Sequence, residues 1–334
     1  MTAKMKQLST PTLVWIVLLT LCHGAQAQTF KLAHVSIAGP QLPIYIGVSA
    51  GLFKKHHLDE QLIYIPGGSL IVQTLVAGEV AVASLSPATA IPAWHKGAEI
   101  AVIAGGIERL NHMLMVAPKI RSPEDLKGKR VGISRFGSLT DFALGEALKP
   151  HKLAPGRDLT ALQLGGLGER VAALTAGFVD GVVVQVDQMF QLERLGYTTL
   201  IDMRKLAFNY PTQGIITSRA ALRTKRESLK SFLKIYLEGI KILKTERELP
   251  IKAIGKYLQI ADPEVAAKTY EVYKEIFERI PSVNRQVLTS ALSTIPDLSA
   301  KAATLSLDGF IDNSLFQEIE KAGFMKELYP AQAK

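Results

Sequence analysis

Two glycine-serine joints, Gly67-Gly68-Ser69 and Gly137-Ser138, restrict what this chain can fold into more than any other feature. The first follows the run QLIYI, the second follows RVGIS, and each leads into a segment with helical apolar periodicity. The first N–H groups of a helix lack an internal partner, and the helix dipole adds partial positive charge there. Each joint therefore predicts a binding position for an anionic group, and two joints in separate α/β segments predict a ligand held between two lobes.

Short β-branched runs alternate with helical patterns, which is typical of an α/β protein with doubly wound sheets and helices on both faces. The predicted strands are KLAHVSI, QLIYI, EVAVASL, EIAVIAG, HMLMVA, RVGIS, ALQL, GVVVQV and TTLID. The predicted helices between them are SLIVQTLVAG, SPATAIPAWHKG, SLTDFALGEAL, GERVAALTAG and DQMFQLERLG. Glycine is expected to end four of these helices because it readily adopts the left-handed conformation: Gly78, Gly97, Gly177 and Gly196.

The pattern changes from Glu227 onward, where the chain is almost wholly helical. A late helical tail needs a sheet to cover, so we expect the chain to return to its first lobe. The first lobe then comprises residues 28–118 and 219–334, and the second lobe residues 119–218. Two crossing segments, near HMLMVAP and QGIITS, are predicted to form a hinge for domain closure around a ligand.

The first 27 residues have the pattern of a cleaved secretory signal peptide. Lys4 and Lys6 precede an apolar stretch from Leu13 to Leu21, and the small-residue site Ala25-Gln26-Ala27 follows. The apolar stretch is shorter than the roughly 20 residues needed to span a bilayer. We therefore expect cleavage near Ala27 and a periplasmic mature protein.

The one cysteine of the chain, Cys22, lies within this leader. The mature chain is therefore expected to have no thiol for a disulfide, a nucleophile or a metal ligand. Leu21 precedes Cys22 where a lipoprotein signal needs a small residue, which disfavours lipidation.

The formal net charge is +9, and Lys4 and Lys6 of the leader contribute to it. A basic surface suits nucleic acid, membranes or acidic ligands. Export argues against nucleic acid, and the basic clusters lack interleaved aromatic residues that could stack on bases. The adjacent His56 and His57 diverge on a helix and cannot share a metal. We expect no cofactor and no metal site, a monomer, and a small anionic solute as partner.

Four stretches carry a resemblance to a known family: PIYIGVSAGLFKKHHLD, IYIPGGSLIVQTLVAGEVAVA, SPEDLKGKRVGISRFGSLTDFAL and LGERVAALTAGFVDGVV. The chain resembles the solute-binding proteins of ABC importers, in the group that covers sulfonates, taurine, nitrate and thiamine-pyrimidine precursors. The resemblance implies a two-lobed type II periplasmic-binding-protein fold and a permease and ATPase complex as partners. It also implies a ligand cleft at the carboxyl ends of the strands, where open α/β sheets place ligands.

The same resemblance implies a set of ligand-binding residues in both lobes. These are Tyr45, Gly67, Gly68, Ser69 and Ser86 in the first lobe, and Phe136, Gly137, Ser138, Thr140, Asp187 and Gln188 in the second. Two positions depart from the family pattern. Relatives often carry Gly-Gly-Pro at Ser86, and small residues with proline at Asp187 and Gln188, so these positions are expected to discriminate between solutes.

Structural alternatives stay open for most of these residues. Ser69 and Ser138 are also good helix N-caps. Asp187 could bind a ligand amine or cap the helix that begins at Gln188. Tyr45 and Phe136 could wall a ligand or pack in the core. Tyr210, in the segment NYPTQG, is a further pocket candidate.

A dinucleotide-binding unit is the main alternative from a different class. Gly166-x-Gly168 opens a helix after a strand, and Asp187 follows about 20 residues later. The position that needs a third small residue is Val171, whose branched side chain hinders close packing of the helix on the strand. Gly166 is kept among the candidate ligand residues.

These observations predict a periplasmic protein that captures a small organic anion between two α/β lobes and presents it to a membrane permease. No bond is made or broken in this prediction. A secreted enzyme on the same scaffold, dinucleotide-dependent or hydrolytic, and a ligand sensor for a membrane receptor are the alternatives.

Overall fold

The computed structural model describes residues 29–206, 209–295 and 297–330. The predicted leader, with Cys22 and the cleavage site near Ala27, lies outside these ranges. Among the residues described, no helix is both long enough and apolar enough to cross a membrane.

Two five-stranded mixed sheets form the framework. The strands of the first sheet are β1 (Phe30–His34), β2 (Glu60–Tyr64), β3 (Val82–Leu85), β4 (Ile100–Ile107) and β10 (Gln213–Ser218), in the order β2-β1-β3-β10-β4. The strands of the second sheet are β5 (His112–Val116), β6 (Arg130–Ile133), β7 (Thr160–Gln163), β8 (Gly181–Gln185) and β9 (Thr198–Asp202), in the order β7-β6-β8-β5-β9. Strand β10 in the first sheet and β5 in the second run antiparallel to their neighbours.

Helices cover both sheets. In chain order they are α1 (Leu42–Ser49), α2 (Leu52–Lys55), α3 (Gly68–Val76), α4 (Pro87–His95), α5 (Leu139–Leu148), α6 (Leu167–Thr175), α7 (Val186–Arg194), α8 (Arg219–Thr224), α9 (Arg226–Thr245), α10 (Glu248–Tyr257), α11 (Pro263–Ile276), α12 (Arg285–Leu292), α13 (Ser314–Lys321) and α14 (Phe324–Leu328). We call the first sheet with its helices, residues 29–107 and 213–330, the first lobe. The second sheet with its helices, residues 112–206, is the second lobe.

All nine predicted strands and all five predicted interstrand helices are present, with small differences at their ends. The four glycines expected to end helices have left-handed backbone angles, with φ between +70° and +97°: Gly78, Gly97, Gly177 and Gly196. The α/β fold class with helices on both faces of the sheets is therefore confirmed.

Two strands lie on the opposite side of the predicted lobe boundaries. His112–Val116 joins the second sheet, although residues up to 118 were predicted in the first lobe, and Gln213–Ser218 joins the first sheet. Both are the antiparallel strands of their sheets, and both are almost entirely buried, so their apolar sequence suits either sheet equally. The crossings therefore precede these strands. There the Tyr210 N–H donates to the Glu108 carbonyl at 2.8 Å, which ties one crossing to the other.

The helical tail returns to the first lobe, as the sequence predicts. Helix α9 packs across α1, and its apolar stripe is fully buried: Leu229, Phe232, Leu233, Tyr236, Ile240 and Leu243. Gly239 permits this close approach, because a Cβ atom there would lie 2.1 Å from the Pro43 carbonyl oxygen.

Candidate functional site

A cavity of about 40 Å³ lies between the two lobes, at the strand ends where the helices begin. The lining residues of the first lobe are Val35, Ser36, Gly67, Gly68, Leu85, Ser86 and Thr89, and those of the second lobe are His112, Ser134, Ser138, Leu139, Thr140, Gly165, Gly166, Leu167, Arg170 and Gln185. This volume corresponds to about three water molecules, so it suits a single polar group. We call it the polar cavity.

A buried arginine places positive charge in the polar cavity. Arg170, on helix α6, is 3% exposed. Its Nε donates to the Val183 carbonyl at 3.1 Å, and an Nη donates to the Gly165 carbonyl at 2.7 Å. Among the described residues no carboxylate forms an ion pair with this guanidinium. Burial lowers the pKa of Arg170 to about 10, so the side chain is still cationic at neutral pH. The charge of the neighbouring Glu169 opposes this lowering without forming a direct ion pair. A buried cation whose side-chain hydrogen bonds go to neutral carbonyl groups favours an anion beside it.

His112 supplies a neutral imidazole to the same cavity. It is 1% exposed, and neither ring nitrogen has a hydrogen-bond partner. Burial, with the nearby charge of Arg170, lowers the pKa of His112 to about 3. At neutral pH the ring therefore offers one N–H donor and one acceptor. Ser36 Oγ and Gln185 Oε1 are likewise buried without a partner, although buried polar atoms are normally bonded.

Three hydroxyl groups of the second lobe form a buried network at the start of helix α5. The Oγ atoms of Ser134 and Ser138 lie 2.8 Å apart, and Thr140 Oγ1 lies 2.8 Å from Ser134 Oγ. Ser138 is at the N-cap position, but its hydroxyl donates to the Arg135 carbonyl at 2.7 Å and accepts no bond from a backbone N–H of the helix. The network holds these hydroxyls at the cavity wall.

The turns of the two lobes touch across the cleft. Arg135 Nε of the second lobe donates to the Pro66 carbonyl of the first lobe at 3.2 Å. The Arg135 side chain also covers Gly67, where a Cβ atom would lie 2.6 Å from Arg135 Cδ. Gly67 has φ +93°, so both its backbone angle and this contact require glycine. The lobes are thus closed against each other at this turn.

Side chains of the protein occupy two helix N-termini of the second lobe, one of them at the predicted anion position Gly137-Ser138. The Gly137 N–H donates to Asp141 Oδ2 at 2.8 Å, and burial raises the pKa of that carboxyl group. The Leu167 N–H at the start of α6 bonds the Tyr64 hydroxyl of the other lobe. At these two helix N-termini a backbone N–H is therefore already bonded within the protein, whereas Arg170 places a positive charge at the cavity.

Six of the predicted ligand residues line the polar cavity: Gly67, Gly68, Ser86, Ser138, Thr140 and Gly166. Gly137 lines a second, larger cavity instead. Ser86 precedes helix α4, and its hydroxyl donates to the Pro211 carbonyl at 2.6 Å, which links it to the crossing segment. Their contact with a ligand stays a prediction.

Three other predicted residues lie away from the polar cavity. Helix α3 begins at Gly68, so Ser69 lies inside the helix and is not its N-cap. Tyr45 is buried in the core and stacks on Tyr257, with ring centroids 4.6 Å apart. Phe136 is 54% exposed, because the turn that contains it directs the ring outward. The location of these three side chains depends on the packing of the lobes and on the phase of the helices, neither of which can be inferred from the sequence.

Asp187 and Gln188 also lie outside the cavity, at a contact between the lobes. Asp187 is fully buried and accepts a hydrogen bond from the Tyr273 hydroxyl at 2.7 Å. It also accepts from the Gly39 N–H and from the Gln188 side-chain amide. Gln185 is the N-cap of α7, so Asp187 does not cap this helix. Because Asp187 is engaged with Tyr273, it does not face Gly166 as a dinucleotide-binding unit requires.

One further catalytic pattern has the wrong structural context. The run Gly47-Val48-Ser49-Ala50-Gly51 has the spacing of a hydrolase nucleophile elbow, which needs a strand before the serine and a helix after it. Here Ser49 is the last residue of helix α1. Among the described residues there is also no cluster of three His, Cys, Asp or Glu side chains that could hold a metal ion.

The sequence reasoning missed Arg170 and His112. A signal for Arg170 is present, because Leu167, Arg170 and Leu174 share one buried face of helix α6, and a charge within an apolar stripe is unusual. His112 begins strand β5. Since β5 runs antiparallel, its first residue reaches the edge that holds the carboxyl ends of the parallel strands.

Comparison with protein-family models matches residues 40–249 to the family described as "NMT1/THI5 like". The match covers more than half of the chain. No curated protein matches the chain.

Solved structures with low sequence identity share the fold. A protein from Bordetella bronchiseptica RB50 is 21% identical, with a TM-score of 0.77, over 88% of this chain and 98% of that one. The alkanesulfonate-binding protein SsuA from Xanthomonas axonopodis pv. citri, bound to MOPS, is 18% identical, with a TM-score of 0.70, over 83% and 94%. The periplasmic nitrate-binding protein NrtA from Synechocystis PCC 6803 is 12% identical, with a TM-score of 0.74, over 92% of each chain. At these identities the similarity shows the two-lobed fold.

Proposed function

Because the chain belongs to the NMT1/THI5-like family, we propose that it is the solute-binding component of an ABC importer. In this proposal it captures a small organic anion between its lobes in the periplasm and delivers it to a permease and ATPase complex. Two of the solved neighbours are an alkanesulfonate-binding protein and a nitrate-binding protein, which supports an anionic solute for this chain.

The observation that carries the proposal is the Arg170 guanidinium, which is buried in the inter-lobe cavity and forms no ion pair with any carboxylate of the described residues. Burial of a charge costs several kcal/mol unless an opposite charge or strong hydrogen bonds offset the lost solvation. The carbonyl groups of Val183 and Gly165 satisfy only part of the five N–H donors of an arginine. An acid group in the cavity would complete them.

The rest of the cavity fits such a group. The ring of His112 can donate one N–H, and the unpartnered hydroxyl of Ser36 can donate or accept, whereas the Ser138 hydroxyl donates to the Arg135 carbonyl. The volume of about 40 Å³ admits a carboxylate or sulfonate head, but not a whole organic molecule. The ligand would bridge both lobes, and this differential contact is what shifts a two-lobed protein toward its closed form.

Substitution of Arg170 tests this proposal directly. We expect Arg170→Gln to weaken binding of methanesulfonate, acetate or nitrate by at least about 100-fold, because it removes charge-assisted hydrogen bonds worth roughly 1.5 to 3 kcal/mol each. Isothermal titration calorimetry measures the affinity, and NMR of the recovered ligand is expected to show no product. Arg170→Lys keeps the charge and should retain part of the affinity.

Arg157→Gln is the matched control, because Arg157 is exposed and pairs only with local groups. It should bind each anion as the wild type does. Binding to Arg170→Gln within threefold of the wild-type affinity, in a variant that still unfolds cooperatively, would contradict the proposal. Conversion of the ligand would indicate an enzyme instead.

A further inference from the structure

A larger cavity of about 580 Å³ adjoins the polar cavity between the lobes. Its walls are helix α4 of the first lobe, helix α5 of the second lobe, and Thr294, Ile295, Asp297 and Leu298 after α12. Thr89 and Ser138 line both cavities, so they stand where the two spaces meet. We call the second space the body cavity.

The body cavity has an aromatic and apolar wall. The rings of Phe142 and Tyr210 stack with their centroids 4.1 Å apart and their planes 13° apart, and both rings line the cavity. Pro92 and Leu298 add apolar surface on the other side. The charged groups around it include both signs, such as Lys96 and Asp141, so the cavity as a whole does not select for charge.

The two cavities differ in size and chemistry in a way that matches one amphipathic molecule. The polar cavity has a cation and unpartnered polar atoms but admits only a head group. The body cavity lies within the range of roughly 300 to 1,000 Å³ that small-molecule sites occupy, and Phe142, Tyr210, Pro92 and Leu298 make part of its wall apolar. An organic body attached to an acid group at Arg170 is too large for the polar cavity, and Thr89 and Ser138, which line both spaces, mark where it would enter the larger one.

We propose that the solute is an anion with an aromatic or branched apolar body, whose acid group lies at Arg170 and whose body lies against Phe142 and Tyr210. This inference rests on the proposed function, because it requires the anion position in the polar cavity. Tyr45 and Phe136, which the sequence predicts as possible walls for the organic part, have no contact with it in this proposal, because Tyr45 lies in the core and Phe136 is exposed.

Gly145 allows the body cavity to be filled without touching the polar cavity. It lies on helix α5 and lines the body cavity, and a Cβ atom built there meets no atom within 4 Å. Gly145→Phe therefore places a ring in open space, and Gly145→Leu places a smaller group there. Gly255→Phe is the matched control, because Gly255 is also helical, lies on α10, and lines neither cavity.

The probes are methanesulfonate, which is a head group alone, and 2-naphthalenesulfonate, with affinities measured by isothermal titration calorimetry. We expect the wild type to bind the naphthalene compound at least about tenfold tighter, since it buries apolar surface. Gly145→Phe should remove that advantage and leave methanesulfonate binding unchanged. Gly145→Leu should lose part of the advantage, and Gly255→Phe should retain it.

Equal affinities for the two probes in the wild type would overturn the inference, as would an advantage that persists in Gly145→Phe. In both cases, binding of methanesulfonate would still support the anion position in the polar cavity. If the wild type binds neither sulfonate, nor the matched carboxylates acetate and 2-naphthoate, the proposed function fails and this inference fails with it.

Discussion

The buried carboxyl group of Asp187 makes the stability of the protein depend on pH. Burial raises the pKa of Asp187 to about 6 from an ordinary value of 3.8, even though Tyr273, Gly39 and Gln188 donate hydrogen bonds to it. The folded protein therefore holds this proton more tightly than the unfolded chain does. The shift of about 2 units corresponds to about 3 kcal/mol, at 1.36 kcal/mol for each unit.

The direction of the effect follows from proton binding in the two states. Below about pH 4 Asp187 is protonated in both states, so a buried charge at Asp187 does not lower the free energy of unfolding. As the pH rises from about 4 to about 6, the unfolded chain releases its proton first, so the free energy of unfolding falls. Above pH 6 the full penalty of about 3 kcal/mol is present.

Asp187→Asn removes this titration and keeps the shape of the side chain. The Asn amide oxygen can still accept from the Tyr273 hydroxyl. Its NH₂ group then faces the Gln188 side-chain amide, and once that amide turns over it can donate to Gln188 Oε1, which is buried and unpartnered in the wild type. We expect the variant to be more stable than the wild type by up to about 3 kcal/mol at pH 7.5, and to match it near pH 4.

Urea unfolding followed by circular dichroism, from pH 4 to pH 8, measures the difference between the two proteins at each pH. Asp59→Asn serves as the control, because Asp59 is exposed and contacts Thr29 at the surface. A difference between Asp187→Asn and the wild type that does not change with pH would refute the reasoning. A variant less stable than the wild type at pH 7.5 would also refute it.

Other substitutions test the packing of the lobes. Gly239→Ala should lower the free energy of unfolding in urea by about 2 kcal/mol or more, because its Cβ would meet the backbone of Pro43. Gly145→Ala should raise it by roughly 0.5 to 1 kcal/mol, because this helical glycine faces open space. Phe136→Ala should leave urea unfolding and calorimetric affinity for methanesulfonate within about 0.5 kcal/mol of the wild type, because the ring is exposed and borders neither cavity.

The elements of this fold could be predicted from the sequence because their signals are local. The buried run GVVVQV is typical of a strand, the periodic apolar stripe on α9 is typical of a helix, and glycines such as Gly177 mark helix ends. Sheet membership is not local. His112–Val116 and Gln213–Ser218 are apolar enough for either sheet, so their partners are decided by the route of the chain in space.

The residues of the candidate site also fall into those with local sequence signals and those placed by the packing of the lobes. Gly67, Ser138 and Gly166 follow strands directly, so the sequence indicates that they reach the cleft edge. The approach of Arg170 and His112 depends on helix phase and on the direction of β5, which only the packed lobes define. Phe136 and Ser69 follow the same turns but point elsewhere, because a turn fixes where the backbone passes and not where each side chain lies.

The position of β10 in the first sheet determines when each lobe can complete its sheet during synthesis. Strand β10 lies between β3 and β4, so the first sheet stays divided until residue 218 has been made. The second sheet is built wholly from residues 112–202, which are complete earlier. Because contiguous units fold as they become available, the second lobe can finish while the first lobe still waits for its central strand. The first sheet can therefore be completed only after residue 218 has been made, later than the point at which the second sheet has all its strands.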